Sequence, residues 1–214
     1  MSAHGPTEVL VIGGGGHARV CIEALADCDF EVVGCLTRDG RGGVGLPCPV
    51  VGVDTDIAAV AMRLGVDRVF VAIGHNATRQ AATERCVAAG LQLVTAVSRF
   101  AMVSANATIS AGAAVLAGAV LNPSAVVGDG AIVNTRASVD HDVVVGRFAH
   151  VAVGVALAGG VEVGERVLMG VGSCATPLVR IGDDAVVGAG AAVVRDVPPR
   201  VTVVGVPARQ RSPK

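Results

Sequence analysis

The second half of the chain repeats a pattern every six residues, and this repeat is the strongest constraint on what the chain can fold into. From Val103 to Val193, every sixth residue is Val, Ile, Leu or Met, with Ala175 as the one exception. Two places before each of these, from Ala107 onward, lies a small or β-branched residue. No insertion breaks the register. A fixed short period of this kind is typical of architectures in which each repeat packs only on its neighbours.

Six residues accommodate one short strand and the turn that follows it, so three hexads make one triangular coil of about 18 residues. At a strand spacing of about 4.8 Å, the whole repeat makes a prism roughly 25 Å long. Its interior would stack Val on Val and Ala on Ala, which fits a chain with no Trp, no Tyr and only 4 Phe. A tight corner is expected to require a residue without Cβ directly after the apolar position. The glycines found there are Gly128, Gly146, Gly164, Gly182 and Gly188.

The first half of the chain has a different pattern, in which short apolar runs alternate with helical stretches. This alternation predicts a parallel sheet covered by helices on both faces. The predicted strands are Val9–Ile12, Phe30–Leu36 and Val69–Ile73, and the predicted helices are His17–Ala26, Asp56–Leu64 and Ala77–Ala89. The glycine-rich segment 39–45 is expected to be a loop. The sequence therefore predicts two domains, residues 1–97 and residues 98–214.

Charge and hydropathy exclude two classes of partner. With 17 Lys+Arg against 18 Asp+Glu, the formal net charge is −1, which provides no basic surface for nucleic acid. Hydrophobic residues make up 52% of the chain, but no apolar run reaches the roughly 18 residues that a bilayer requires. The first residues lack the features of a secretory signal, so we expect a cytoplasmic protein. The six cysteines form no CxxC pair and are expected to be buried free thiols.

A glycine-rich turn near the start of the chain predicts a nucleotide site. Residues 13–18, Gly-Gly-Gly-Gly-His-Ala, follow a predicted strand and precede a predicted helix, which is the context of a dinucleotide-type phosphate turn. Backbone N–H groups at the start of a helix can bind a phosphate there. An acidic residue about 20 positions further on would indicate NAD. The second strand is followed by Arg38 instead, which leaves NADP open.

Two more segments narrow the interpretation. Residues 134–142, Asn-Thr-Arg-Ala-Ser-Val-Asp-His-Asp, place a histidine between two acids, and residues 203–209 read Val-Val-Gly-Val-Pro-Ala-Arg. With the hexad repeat and the glycine turn, they resemble the hexapeptide-repeat acyltransferases, in particular the bacterial sugar O- and N-acetyltransferases that modify sialic acid or nucleotide-linked 4-amino sugars. The resemblance covers nearly the whole chain. It implies an α/β half-Rossmann domain followed by a left-handed parallel β-helix, acetyl-CoA as co-substrate, no metal, and a homotrimer.

His141 is the candidate general base. A histidine whose tautomer is fixed and whose basicity is raised by a carboxylate suits that role, and a solvated turn histidine is the alternative. Neighbouring side chains in an extended strand point to opposite faces, so Asp142 reaches the His141 ring only if the chain turns there. The resemblance implies that Gly159 donates a hydrogen bond to the oxyanion, although a simple corner glycine explains that residue equally well.

The resemblance also implies the binding residues. The candidates for acetyl-CoA binding are His150, Gly170, Val171 and Ala189. The candidates for acceptor binding are Gly15, Gly16, His17, Thr37, Arg38, Gly74, His75, Asn76 and Asn134. A polar residue at a subunit contact is the alternative for His150, and a surface residue at a helix N-terminus is the alternative for His75.

Direct transfer of acetyl from acetyl-CoA to the 4-amino group of a nucleotide-linked sugar, with His141 as base, is the leading hypothesis. A sialic acid O-acetyltransferase is the alternative within the family. A metalloenzyme that uses His141 and His150 as ligands shared across a trimer belongs to a second class. An NADP-dependent oxidoreductase and a purely trimerising scaffold complete the hypotheses.

Overall fold

The computed structural model describes residues 6–43 and 45–211, and the chain divides into two compact units, residues 1–99 and residues 100–214. The elements of the first unit are β1 (Thr7–Ile12), α1 (Gly16–Ala26), β2 (Phe30–Thr37), β3 (Val50–Val53), α2 (Ile57–Leu64), β4 (Arg68–Val71), α3 (Asn76–Ala88), β5 (Gln92–Leu93) and β6 (Ala96–Val97). The three predicted strands and three predicted helices are confirmed to within about two residues. The sequence did not predict β3, β5 or β6.

Five parallel strands form the sheet of the first unit, in the order β3-β2-β1-β4-β5. The central strand β1 is apolar on both faces, and its residues 9–12 are fully buried. Helix residues such as Ile57 and Ala82 pack against this sheet in the hydrophobic core. Because β1, β2 and β4 are parallel neighbours, their carboxyl ends meet at one edge and bring the turns after them together.

The prediction that all cysteines are buried free thiols is wrong. Cys35 and Cys48 form a disulfide, with Cα atoms 6.6 Å apart, because the segment before β3 returns alongside β2. Cys28 is half-buried and Cys174 is exposed on an outward-facing strand position, whereas Cys21 and Cys86 are buried free thiols as expected. A separation of 13 residues carries no sequence signal of pairing.

The second unit is built of short strands, nearly all of them two residues long. They are β7 (Met102–Val103), β8 (Thr108–Ile109), β9 (Ala114–Val115), β10 (Val120–Leu121), β11 (Val126–Val127), β12 (Ile132–Val133), β13 (Ser138–Val139), β14 (Val144–Val145), β15 (His150–Val151), β16 (Ala156–Leu157), β17 (Glu162–Val163), β18 (Leu168–Met169), β19 (Cys174–Ala175), β20 (Arg180–Ile181), β21 (Val186–Val187), β22 (Ala192–Val193), β23 (Thr202–Val204) and β24 (Arg209–Gln210).

Each hexad strand pairs in parallel with the strand one coil later, so that Leu121 lies opposite Val139 and Val139 lies opposite Leu157. The strands thus stack into three sheets, and only the final β24 pairs antiparallel. The predicted apolar positions point inward: they are buried from Val115 to Val193, and the first two, Val103 and Ile109, are half-buried. The predicted left-handed parallel β-helix after a half-Rossmann domain is confirmed.

The turns of the β-helix follow the same period of six. Every sixth residue from Gly112 to Gly190 has a φ between 55° and 73°, which is the left-handed region, and non-glycine residues such as Asp142 share it. The glycines predicted at the corners lie two places earlier and lack a Cβ for another reason. A Cβ on Gly146 would lie 2.6 Å from the carbonyl carbon of Gly164, because backbones of successive coils meet there.

None of the helices within residues 6–43 and 45–211 combines the length and the apolar character needed to cross a membrane.

Candidate functional site

His141 and Asp142 form a hydrogen-bonded pair on one turn of the β-helix. The Nδ1 atom of His141 lies 2.8 Å from Oδ2 of Asp142, and both side chains are more than half exposed. Asp142 occupies the left-handed turn position, with a φ of 59°. The chain therefore turns between His141 and Asp142, which is the condition predicted from the sequence for their side chains to meet. With Nδ1–H donating to the carboxylate, Nε2 keeps its lone pair as the basic atom.

A second acid holds the backbone of His141. Oδ1 of Asp140 accepts the His141 N–H at 2.8 Å and the Nδ2 group of Asn122 at 2.8 Å. These two hydrogen bonds keep the pKa of Asp140 below its usual value. The hydrogen bond to Asp142, and then the charge of Asp140, raise the pKa of His141. Sequence reasoning missed Asn122, although it lies 18 residues, one coil, before Asp140.

Gly159 lies one coil after His141 and touches its ring. A Cβ built on Gly159 would stand 2.5 Å from both Cε1 and Nε2 of His141, so the ring occupies the space a side chain would need. The left-handed turn residue is Gly160, not Gly159. Among the described residues, the N–H of Gly159 has no hydrogen-bond acceptor. Gly159 is buried, and its N–H lies in the part of the turn that the His141 ring covers.

The structure brings together two residues that the sequence assigns to different ligands. Nδ2 of Asn134 lies 3.0 Å from Nε2 of His150, and Oδ1 of Asn134 accepts the N–H of Thr135 at 2.8 Å. They meet because β12 and β15 are paired, with Ile132 opposite His150. An amide that donates to Nε2 leaves the proton of a neutral imidazole on Nδ1.

The other residues expected to border acetyl-CoA divide into two kinds. Val171 and Ala189 are exposed and occupy equivalent turn positions on successive coils. Gly170 has a structural explanation, since a Cβ there would lie 2.6 Å from Ala189 N and from Val187 O. It belongs with the glycines that allow successive coils to stack.

His141 and this second group lie on different edges of the β-helix. Turn positions three hexads apart share an edge, so His141 and Gly159 lie on one edge, and Val171 and Ala189 lie on another. A single chain therefore separates the basic residue from most of the expected acetyl-CoA residues. In the part of the chain that the structure describes, no group of three or more His, Cys, Asp or Glu side chains could hold a metal ion.

The first unit carries a cleft of about 460 Å³ at the edge where β1, β2 and β4 end. Its lining residues are Gly13, Gly14, Gly15, Gly16, His17, Thr37, Arg38, Asp39, Arg41, Asp54, Ala72, Ile73, Gly74 and Thr78. Six predicted acceptor-binding residues thus come together in one cleft. Sequence reasoning missed Asp54 because β3, which it follows, was not predicted, and it missed Arg41 because it lies in an irregular segment.

Two predicted residues of the cleft have other contacts. His75 is the N-cap of α3, and its Nδ1 accepts the N–H of Thr78 at 3.3 Å. Oδ1 of Asn76 accepts a hydrogen bond from Arg79 at 2.9 Å. Neither His75 nor Asn76 is among the described residues that line the cleft.

The four glycines of the turn have different structural needs. Gly13 has a φ of 120°, and a Cβ there would lie 2.6 Å from Ala72 O. A Cβ on Gly14 would lie 2.5 Å from Cγ2 of Thr37. At Gly15 nothing lies within 4 Å, so the fold itself does not require a glycine there. Open backbone at the start of α1 is suited to the close approach of an anion.

Thr37 supplies an unsatisfied polar group in this cleft. Its side chain is only 6% exposed, and within the described residues its Oγ1 has no hydrogen-bond partner. Buried hydroxyls are nearly always hydrogen-bonded, so Thr37 is an exception among the residues that line this cleft. Arg38 and Arg41 add positive charge to the lining, and Asp39 and Asp54 add acceptors.

Comparisons with known proteins give consistent matches. Residues 8–86 match the family model of the PglD N-terminal domain. PerB from Caulobacter crescentus, solved in complex with CoA and GDP-perosamine, is 43% identical over 99% of both chains, with a TM-score of 0.91. A mutant of perosamine N-acetyltransferase from the same organism is 42% identical over 99% of both chains, with a TM-score of 0.92. The acetyltransferase domain of PglB from Neisseria gonorrhoeae, in complex with acetyl coenzyme A, is 35% identical over 97% of this chain and 100% of that one, with a TM-score of 0.89.

Proposed function

The chain belongs to the hexapeptide-repeat sugar acetyltransferases, and from that premise we propose that it acetylates the 4-amino group of a nucleotide-linked amino sugar similar to GDP-perosamine. Acetyl-CoA is the donor. The observation that carries the proposal is the His141–Asp142 pair, whose ring lies against Gly159 with Nε2 free of the carboxylate. This arrangement places a base and a backbone donor side by side on the surface of the β-helix.

The reaction needs no covalent enzyme intermediate. The lone pair of the amine attacks the thioester carbonyl, a C–N bond forms, and the carbonyl oxygen becomes negative. The N–H of Gly159 stabilises this oxyanion. His141 Nε2 takes the proton of the attacking amine, while Asp142 stabilises the imidazolium that results. The C–S bond then breaks, and the leaving thiolate of CoA takes the proton from the His141 imidazolium, which returns the histidine to its neutral form.

The cleft of the first unit is proposed to hold the nucleotide of the acceptor. Open backbone at Gly15 and the start of α1 suit the phosphates, and the unsatisfied Thr37 hydroxyl suits a ribose or base. Arg38 lies beside it. A sialic acid O-acetyltransferase remains the alternative, but a nucleotide-type turn at the start of the chain favours the nucleotide sugar.

A homotrimer would resolve the separation of the two edges. In one chain, His141 lies on a different edge from Val171 and Ala189. A neighbouring copy that presents its Val171–Ala189 edge to the His141 edge completes the site. We therefore propose that acetyl-CoA lies between two subunits of a trimer, close to His150 and Asn134.

The acceptor is tested with a panel of UDP-, GDP-, CMP- and dTDP-linked 4-amino sugars, with free sialic acid as the O-acetylation arm. Release of the CoA thiol is followed for wild type and His141→Ala. We expect turnover with a nucleotide-linked amino sugar, and a kcat about 10²–10⁴-fold lower in the variant. If sialic acid is the only compound of the panel that is acetylated, the protein is a sialic acid O-acetyltransferase and the proposed acceptor is wrong. A wild-type kcat in His141→Ala at every pH would remove this histidine from the reaction.

The shared site is tested by mixing two inactive variants. His141→Ala and Ala189→Trp are unfolded together and refolded, and the mixed trimers are isolated. In the mixed trimers, some interfaces pair the unchanged His141 of one subunit with the unchanged Val171–Ala189 edge of its neighbour, so partial activity is expected. Verified mixed trimers that are fully inactive would place each active site within one chain.

A further inference from the structure

A charged side chain lies buried beneath the cleft of the first unit. Arg79, on α3, is only 1% exposed and is the largest fully buried side chain of the structure's core residues. Burial lowers its pKa to about 10, so the guanidinium stays charged at neutral pH. Burying a charge is costly unless hydrogen bonds compensate for lost water, so a buried cation at this place requires an explanation.

The guanidinium of Arg79 binds the turn between β4 and α3. Nη1 donates to the carbonyl oxygens of Ile73 at 2.9 Å and Gly74 at 3.0 Å. Nη2 donates to Oδ1 of Asn76 at 2.9 Å. Ile73 and Gly74 both line the cleft, whereas Arg79 does not. One side chain therefore fixes the orientation of two consecutive peptide groups in the cleft wall.

This orientation has a consequence for the opposite side of those peptides. In a trans peptide the C=O and N–H groups point in opposite directions. Because the carbonyls of Ile73 and Gly74 accept hydrogen bonds from the buried guanidinium, the N–H groups of Gly74 and His75 point away from it. Of these two residues, Gly74 lines the cleft. Nothing lies within 4 Å of the position where a Cβ of Gly74 would be, so an anion has room to approach.

Arg79 also acts on α1, the helix that begins at the glycine turn. Its positive charge acts on the Cys21 thiol, which is buried and whose Sγ lies 3.4 Å from Nε2 of His17. The cation thus acts electrostatically on α1 in addition to holding the turn before α3. A charge in the low-dielectric interior acts on a ligand more strongly than the same charge in water.

We propose that Arg79 is a positioning residue for a diphosphate: it fixes the peptide groups of Ile73 and Gly74 in the cleft wall, so that the Gly74 N–H faces the ligand, and it adds a buried positive charge behind them. This inference rests on the proposed function, in which the cleft holds the nucleotide of the acceptor. Arg79 does not touch the ligand. It therefore acts on the phosphates through the peptide groups and through its charge, and the nucleoside part of the ligand is not affected.

The test compares GDP with guanosine, measured by calorimetric titration of the full chain. In Arg79→Gln the amide still donates to the turn, but the charge is lost. In Arg79→Lys the charge stays, but the fork that joins three oxygens is lost. Cys86→Ala, on the same helix and buried in the core away from the cleft, is the matched control for a loss of stability.

We expect Arg79→Gln to weaken GDP binding about 10–100-fold, as for the loss of a hydrogen bond to a charged group, with guanosine binding nearly unchanged. Arg79→Lys should show a smaller loss of GDP affinity in the same direction. If Arg79→Gln fails to fold, the ratio of GDP to guanosine affinity in Arg79→Lys tests the proposal. Cys86→Ala should lower the melting temperature and keep the ratio of the two affinities. An unchanged ratio in a folded Arg79 variant overturns the role of Arg79 alone. A wild type that binds neither probe contradicts the proposed acceptor, and the role of Arg79 falls with it.

Discussion

Replacement of Gly159 by Ala tests the candidate site with a single methyl group. The added Cβ would stand 2.5 Å from Nε2 and Cε1 of His141, where ordinary contacts begin at 3.4 Å. The ring must therefore withdraw by about 1 Å, and a misplacement of that size costs about 10²-fold in rate. The backbone N–H of residue 159 remains, so oxyanion stabilisation is kept. We expect kcat to fall about 10²-fold because the base has moved.

The assay is steady-state release of the CoA thiol, with the KM for each substrate and the melting temperature measured in parallel. Both KM values should stay near wild type, because the methyl group displaces the base and not the substrates. Ala111→Val is the control, since Ala111 occupies the equivalent turn position on another edge, is exposed, and is far along the chain from His141. If Gly159→Ala keeps the wild-type kcat, the observed contact between ring and glycine has no part in the reaction.

Four further outcomes are expected. Asp142→Asn should weaken the hydrogen bond that raises the pKa of His141, so that the neutral base persists to lower pH. The acidic limb of the pH profile of kcat/KM should therefore move to lower pH, and a limb that does not move would show that this pair has no part in catalysis. Gly15→Val should raise the KM for the acceptor and leave the KM for acetyl-CoA unchanged. The reverse result would mean that the first unit binds acetyl-CoA and not the acceptor. Ala189→Trp should remain folded but bind acetyl-CoA weakly in a titration. Gly170→Ala should instead lower the free energy of unfolding by about 1–3 kcal/mol, measured with denaturant, because its Cβ meets the next coil.

The fold could be predicted because its pattern is local and repeated. A residue such as Leu121 faces inward for the same reason as Val139 one coil later, so one correct register fixes all coils. The sequence could not show that Cys35 meets Cys48, because that pairing depends on the path of an irregular segment between β2 and β3. For the same reason, Asp54 was missed in the cleft.

The candidate site divides in the same way. His141 could be named from sequence because a histidine between two acids is unusual within the repeat, whereas Gly159 was named only through the resemblance to the sugar acetyltransferases. Gly170 stays a predicted acetyl-CoA contact, and the structure gives its residue type a second explanation, because a Cβ there would meet the next coil. A glycine that admits a ligand and one that admits the next coil look alike in a sequence pattern. Asn122 and Arg79 were not named, because each acts through a contact that only the folded chain forms.

The pairing of His141 with Asp142 follows from the turn and not from these two residues alone. Six other turns of the β-helix carry non-glycine residues at both positions, and two of these show a contact between the two side chains. Glu165 and Arg166 form an ion pair at 3.0 Å, and the guanidinium of Arg147 lies 5.6 Å from the ring centre of Phe148. In all three turns the second residue has a left-handed backbone, which rotates its side chain towards that of the residue before it. A corner of this repeat can thus hold two consecutive, touching side chains where the residue types suit each other, as a base and its carboxylate do at His141 and Asp142.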